Sequence, residues 1–322
     1  MISLRLRKAL FFTTETSTVS VVFLFLKNAT LEDMPDKFKA TWISHSSIGD
    51  FLQCPRLYYL HNVYKDPNTN RKIAVVNPYM SLGIAVHEVL EGLVKFKAED
   101  RAKQNLLEIF EKEWEKVSGK KGGFVDYATE EEFYERGVQM IERAKRNFKL
   151  FEEKTIRLKD DLPHFWISEE ENIILCGKVD WIRYNEEDDS VQLVDFKTGM
   201  HKEKAGSFQL PIYMLLMDRV QKRKTSAAFY WYLQTDDELT PNELPDIEKA
   251  YIDLLEVGKK MKAARAEKKF SCPNGGCRGC EPYEKIIKGE AEFVGVGAYK
   301  QDMYIIPPEE AEEEKGDGVI EF

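Results

Sequence analysis

Gly177-Lys178-Val179-Asp180-Trp181-Ile182 and, after a polar turn, Val194-Asp195-Phe196-Lys197-Thr198-Gly199 decide how this 322-residue chain is read. Asn185 to Asp189 between them are turn formers, so the two segments predict a β-hairpin. Centring it between Glu187 and Asp188 sets Asp180 opposite Asp195, with Cβ atoms about 4.5–5.5 Å apart. Two carboxylates that close repel unless one keeps a proton or a cation lies between them. Hard oxygen ligands of this kind select Mg²⁺ or Mn²⁺ over softer metals. Strand alternation puts Lys197 on the same face as Asp195. From there it can hold a scissile phosphate or a metal-bound water. The plain alternative is an exposed ion pair, worth less than about 1 kcal/mol. Leu193, Val194 and Phe196 instead make the strand a buried one, where an Asp-x-Lys without a task is costly.

Working outward, Ser46 and Ser47 are N-cap candidates for an amphipathic helix over 46–61. Asn77-Pro78 breaks the chain before a second helix over 82–96 that holds Gly83, His87 and Glu91. Charged helices over 100–117 and 129–152 follow, joined by a flexible Gly119-Lys120-Lys121-Gly122-Gly123. Period-two patterning predicts strands over 155–159, 164–168, 172–184 and 190–197. A helix over 205–221, an aromatic strand from Ala227 to Leu233 and a basic helix over 246–268 complete the body. Helices followed by a small mixed sheet between further helices mean an α/β or α+β fold.

The 47 Lys and Arg against 56 Asp and Glu leave a net charge of −9. With 43% hydrophobic and 32% charged residues, disordered and collagen-like chains are excluded. Residues 1–33 place Arg5, Arg7 and Lys8 before the apolar run Val21 to Leu26, like a leader. Thr13-Thr14-Glu15-Thr16 interrupts it, however, and the segment is read as an extension outside a domain over 34–306 that opens at Met34. An acidic tail, 307–322, carries a net −6. The remaining balance does not suit a protein that coats nucleic acid; if nucleic acid binds, it binds at a local patch, and the basic runs are otherwise solvated helix faces. Candidates are Lys259, Lys260, Lys262, Arg265, Lys268 and Lys269, then Arg219, Lys222, Arg223 and Lys224. There is no uninterrupted apolar run of about 18 residues for a membrane span. Five cysteines make a poor disulfide framework and point to a reducing, cytoplasmic location.

The hairpin resembles the catalytic core of the PD-(D/E)XK nucleases, in particular their RecB-like branch. That branch orders a helix histidine, Gly-x-x-Asp, Asp-x-Lys-Thr-Gly and Gln-x-x-x-Tyr. Here the order is Leu82-Gly83-Ile84-Ala85-Val86-His87, Gly177 to Asp180, Asp195 to Gly199, and Gln209-Leu210-Pro211-Ile212-Tyr213. The likeness covers roughly residues 44–283, and Val179 stands where the family name has proline. It implies an α/β, restriction-endonuclease-like core with an N-terminal helical part. It further implies a Mg²⁺- or Mn²⁺-dependent DNA nuclease, exonuclease-like and serving repair or processing. His87, Asp180, Asp195 and the Phe196 carbonyl would be metal ligands, Lys197 would orient the attacking water, and Gln209 and Tyr213 would order Lys197 or the DNA backbone. The substrate would be single-stranded DNA or duplex ends. No Gly-x-x-x-x-Gly-Lys-Ser/Thr loop is present, so a helicase or repair partner would be a separate chain. A non-catalytic DNA-binding adaptor and a zinc-bound interaction module are the competing functions.

Cys272-x4-Cys277-x2-Cys280 lies in a loop with one proline and three glycines, a setting in which thiolates can converge. One more cysteine would complete a tetrahedral set. Cys54, in Leu52-Gln53-Cys54-Pro55-Arg56, is the candidate, and Cys176 reads as a small buried side chain. One N-terminal and three C-terminal cysteines resemble the iron–sulfur nucleases of the superfamily, the AddB type and the CRISPR adaptation nucleases, and imply a [4Fe–4S] clasp. The spacing, four residues and then two, departs from their short-then-long order and leaves zinc open.

Overall fold

A computed structural model describes residues 36–307. The extension over 1–33, the opening at Met34 and the acidic tail beyond Pro307 lie outside the described residues. The chain runs β1 (Thr41–Ile43), α1 (His45–Gln53), α2 (Pro55–Tyr58), β2 (Ile73–Val75), α3 (Pro78–Gly92), α4 (Ala98–Arg101) and α5 (Leu106–Lys116). Helices α6 (Tyr127–Arg146) and α7 (Lys149–Glu152) precede β3 (His164–Ser168), β4 (Ile173–Cys176), β5 (Trp181–Asn185) and β6 (Ser190–Lys197). Then come α8 (Gln209–Val220), β7 (Thr225–Tyr232), β8 (Thr240–Asn242), α9 (Ile247–Glu267), α10 (Glu281–Lys288), β9 (Glu292–Val296) and β10 (Asp302–Ile305).

Three small sheets result, ordered β1-β4-β3, β2-β10-β9 and β5-β6-β7-β8. The last is mixed: β5 and β6 form the antiparallel hairpin, and β7 pairs with β6 in parallel after the α8 crossover. One face of this sheet presents Trp181, Val194, Phe196 and Trp231 to the apolar sides of α3, α5 and α6. The other presents Ile182, Leu193, Tyr230 and Tyr232 to α8 and α9. This is the α/β arrangement expected, a small mixed sheet between helices.

Several boundaries differ for local reasons. The helix over 46–61 is cut at Cys54, which is extended (φ −164°), because Pro55 forces the residue before it out of the helical region. Its cap is Ser44; Ser47 sits at the third helical position and closes a capping box with it. Asn77-Pro78 does not end a segment but begins α3, as cap and first residue. The glycine linker is an ordered turn: Gly123 has φ +85°, and a Cβ there would stand 2.5 Å from the Asn77 Cα. The strand over 172–184 is two strands in two sheets, parted at Gly177. A Cβ at Gly177 would lie 3.0 Å from Leu216 Cδ1 of α8, so glycine eases the close passage of the chain over that helix. Residues 155–159 make one bridge, Thr155 with Arg183, and leave the sheet edge before the charged Lys159-Asp160-Asp161. Among the described residues no helix is long and apolar enough to cross a membrane.

Candidate active site

Helix α3 brings the histidine to the hairpin. Asn77 Oδ1 accepts the Met80 N–H at 3.1 Å and so fixes where the helix starts. Gly83 allows a close approach, since a Cβ there would be 3.3 Å from Thr198 Oγ1 at the end of β6. One turn further on, His87 Nδ1 lies 2.9 Å from Glu91 Oε1 and 3.5 Å from Asp180 Oδ2. The hairpin pairs Trp181 with Val194, so extending its register by one residue sets Asp180 against Asp195. Asp180 Oδ2 accepts the Phe196 N–H at 2.8 Å, which holds the carboxylate across the strand end. Lys178 Nζ reaches Glu91 Oε2 at 2.5 Å. Ligand atoms of His87, Glu91 and Asp180 all fall within 4.8 Å of one another.

Asp195 is buried on the α8 face of the sheet. Its Oδ1 accepts from Gln209 Nε2 at 2.6 Å and from the Tyr213 hydroxyl at 2.8 Å, and its Oδ2 lies 2.9 Å from Lys197 Nζ. Lys197 also donates to Gln209 Oε1, pairs with Glu203 Oε2 at 2.9 Å and lies over the Tyr230 ring. Gln209 and Tyr213, one helical turn apart, thus bind the carboxylate, and Gln209 also holds the lysine. Asp195 stands outside the triplet of His87, Glu91 and Asp180. Phe196 enters through its N–H bond to Asp180.

Burial and mutual repulsion dominate the charge in this cluster. Burial first, and then the Asp195 charge, push Asp180 up to about 8 against the pull of His87. Burial opposes the His87 imidazolium, but Asp180 and Glu91 outweigh it and raise that group to about 9. Lys197 is likewise raised: burial works against it, and Asp195 and Glu203 prevail. At neutral pH Asp180 and His87 are therefore both held in their protonated forms. Carboxylate oxygens with an imidazole, converging and largely buried, fit a hard divalent ion.

Two participants were not singled out by the motifs, Glu91 and Glu203. Glu91 is four residues from His87 and so shares its helix face, a signal that was readable. Glu203 comes from an irregular loop, and no periodicity marks it. The basic runs are largely neutralised. Lys259 and Lys262 share Glu171, Lys260 pairs with Glu256, Lys269 with Glu267, Arg219 with Asp218 and Arg223 with Asp189. Arg265 and Lys268 have no ion pair among the described residues, and they line a cleft with Arg56, Tyr59 and Phe270. A second cleft opens beside the active cluster, where Glu88, Glu91, Asp160, Asp161 and Asp180 line it together with Lys95, Arg157 and Lys178. Its Lys95 and Arg157 have no carboxylate partner among the described residues.

The cysteines meet as expected: the sulfurs of Cys54, Cys272, Cys277 and Cys280 all lie within 4.8 Å of one another. Cys54 sits at the break between α1 and α2, and Cys280 caps α10. Cys176 is apart and buried, its thiol donating to the Ile43 carbonyl, and burial pushes it up to about 11.

The sequence model of the PD-(D/E)XK nuclease superfamily matches residues 42–284. The chain belongs to that superfamily, whose members are in general metal-dependent nucleases. No curated protein matches it.

Proposed function

From its place in the PD-(D/E)XK superfamily, we propose that this chain is a divalent-metal-dependent deoxyribonuclease of the RecB-like kind, acting on DNA ends in repair or processing. The observation that carries the reading is the pair of linked clusters at one strand end: His87, Glu91 and Asp180 on one side, Asp195 with Lys197, Gln209 and Tyr213 on the other. His87, Asp180 and Asp195, with Glu91 added and the Phe196 carbonyl beside them, are the groups to hold Mg²⁺ or Mn²⁺. Such an ion, when bound, supplies Lewis-acid stabilisation of a phosphodiester and a nucleophilic water at neutral pH. Lys197 is held by three oxygen partners, so its ammonium is aimed before substrate arrives. Gln209 and Tyr213 hold Asp195 and keep its Oδ1 from rotating. Lys95 and Arg157 offer unpaired cations to phosphates entering the adjoining cleft. The four cysteines act as a metal clasp between the two ends of the nuclease fold and take no part in hydrolysis, because soft thiolates compete poorly for Mg²⁺.

The test is digestion of end-labelled single- and double-stranded DNA beside a closed circle, with Mg²⁺, Mn²⁺ or EDTA. Metal-dependent loss of the linear substrates with the circle spared supports the whole reading. Cleavage of the circle would replace end-processing with endonuclease action. DNA binding without cleavage under any metal would make the chain an adaptor.

A further inference from the structure

The thiolate spacing discriminates between two kinds of metal group. A tetrahedral zinc ion bonded to sulfur at about 2.3 Å sets its sulfurs roughly 3.8 Å apart. In a [4Fe–4S] cube each thiolate binds a different iron, and the sulfurs stand roughly 6 Å apart or more. Here all four Sγ atoms lie within 4.8 Å of one another, and the Cys277–Cys280 pair is at 3.5 Å. The residues as placed do not fit a cube.

The surrounding structure resists spreading Cys54, Cys277 and Cys280. The loop between Cys277 and Cys280 lies flush on α1 and α2: a Cβ at Gly279 would stand 2.6 Å from Gln53 Nε2 and 2.8 Å from Leu57 Cδ2. Arg56 Nε and Nη2 grip Glu284 at 2.5 and 3.1 Å, tying α2 to α10 on either side of Cys54 and Cys280. Those two cysteines are 0% and 1% exposed, packed with Leu57, Leu60, Tyr283 and Ile286. The backbone also makes the same turn twice. The N–H groups of Arg56 and Leu57, two and three residues on, act to lower the Cys54 thiol against its burial, and those of Gly279 and Cys280 do the same for Cys277 at the same offsets. Each turn aims peptide dipoles at one sulfur and presents it to a single common point.

We propose that Cys54, Cys272, Cys277 and Cys280 hold one zinc ion in a tetrahedral four-thiolate site, in place of the iron–sulfur cluster that the cysteine pattern first suggests. The test is metal and acid-labile sulfide analysis of the full chain, purified with and without oxygen from cells supplied with both iron and zinc. The expected result is about one zinc per chain and no labile sulfide in either preparation. About four irons with matching sulfide in the anaerobic protein, or no metal at all, overturns the proposal. Exchange with Co²⁺ gives a second readout, the visible bands of a tetrahedral cobalt thiolate. They should vanish in Cys272→Ser, whose half-exposed position spares the core, and persist in Cys176→Ser. Full cobalt intensity in Cys272→Ser would also overturn it. Neither readout uses DNA cleavage, so its failure is separate from failure of the nuclease reading.

Discussion

Replacing Asp180 with Asn should make the metal-free protein more stable while silencing the site. The side chain is 9% exposed and faces Asp195, His87 and Glu91. Its carboxyl titrates at about 8, against an ordinary 3.8. Because the folded value is the higher one, its contribution is fully present below the unfolded pKa and is lost as pH rises towards 8. At pH 7 the folded chain must hold a proton that the unfolded chain would release, a cost of about 4 kcal/mol relative to acid. Asn has the same shape and no charge, and its Oδ1 can still accept the Phe196 N–H. His87 works the other way. Its raised value of about 9 gives stability that is present below 6.5 and lost as pH rises through 9, and Asp180 is the main carboxylate behind it. At pH 7 the protonated Asp180 is already neutral, so exchange for Asn leaves His87 facing the Glu91 carboxylate much as before. The net effect is a gain in stability of a few kcal/mol at most, on the order of 5 °C in melting temperature for a domain of this size. Thermal denaturation in EDTA at pH 7 reads it directly. Added Mn²⁺ should stabilise the wild type and leave the variant unmoved, and at pH 5 the variant's advantage should disappear. A variant that melts below the wild type in EDTA at pH 7, or that still binds Mn²⁺ as tightly, would refute the account of a carboxylate cluster waiting for a cation.

Other perturbations test the neighbours. Lys197→Met should slow cleavage by about 10²–10³-fold and leave DNA binding within a few-fold, as measured by single-turnover digestion and filter binding; unimpaired cleavage would remove the lysine from the chemistry. Glu91→Gln should raise the Mn²⁺ concentration for half-maximal cleavage by roughly 10–100-fold, and an unchanged metal titration would leave Glu91 out of the site. Mn²⁺ binding should tighten as pH rises from 6 towards 9, because Asp180 and His87 must shed protons first; calorimetry in buffers of different ionisation heat counts the protons released. Gly123→Ala should lower the melting temperature by about 5 °C or more, since the left-handed conformation alone costs about 1–2 kcal/mol and the new Cβ would meet the Asn77 backbone; an unshifted melt would mean that the turn can give way.

What the sequence disclosed about the fold follows the reach of each signal. The hairpin was legible to the residue because Asn185 to Asp189 fix its centre, and a period of two then sets every pair from Asn185–Ser190 to Trp181–Val194, with Asp180 and Asp195 just beyond. The long helices were legible through their apolar stripes, and their ends blurred where a cap was misassigned, as at Ser44, or where a proline was passed over, as at Pro55. Sheet β2-β10-β9 escaped notice: its strands are short, and β2 lies far in the chain from the other two. Strand β2 pairs in parallel with β10 across more than 200 residues, a pairing that no local pattern announces.

The site divides along the same line. His87 and Glu91, or Gln209 and Tyr213, are related by one helical turn, and Asp195 and Lys197 by one strand repeat, so their companionship is written into spacing. Glu203 reaches Lys197 only because the loop after Gly199 folds back, its Glu203 N–H donating to the Tyr232 hydroxyl on β7. Spacing carries no information about such a return. The charge runs show the converse error. Six cations before the cysteine loop look like a phosphate track when only their neighbours in sequence are counted. Lys259 and Lys262 are answered by Glu171, about ninety residues earlier, which stands where α9 passes β3 and β4. An ion pair between distant segments is invisible to composition, and it removes the positive charge that nucleic acid would have met. Of the run only Arg265 and Lys268 stay without an ion pair among the described residues, while Lys95 and Arg157, which belong to no run, line one cleft beside Asp180. A single-sequence reading therefore overstates cationic surface where lysines are consecutive.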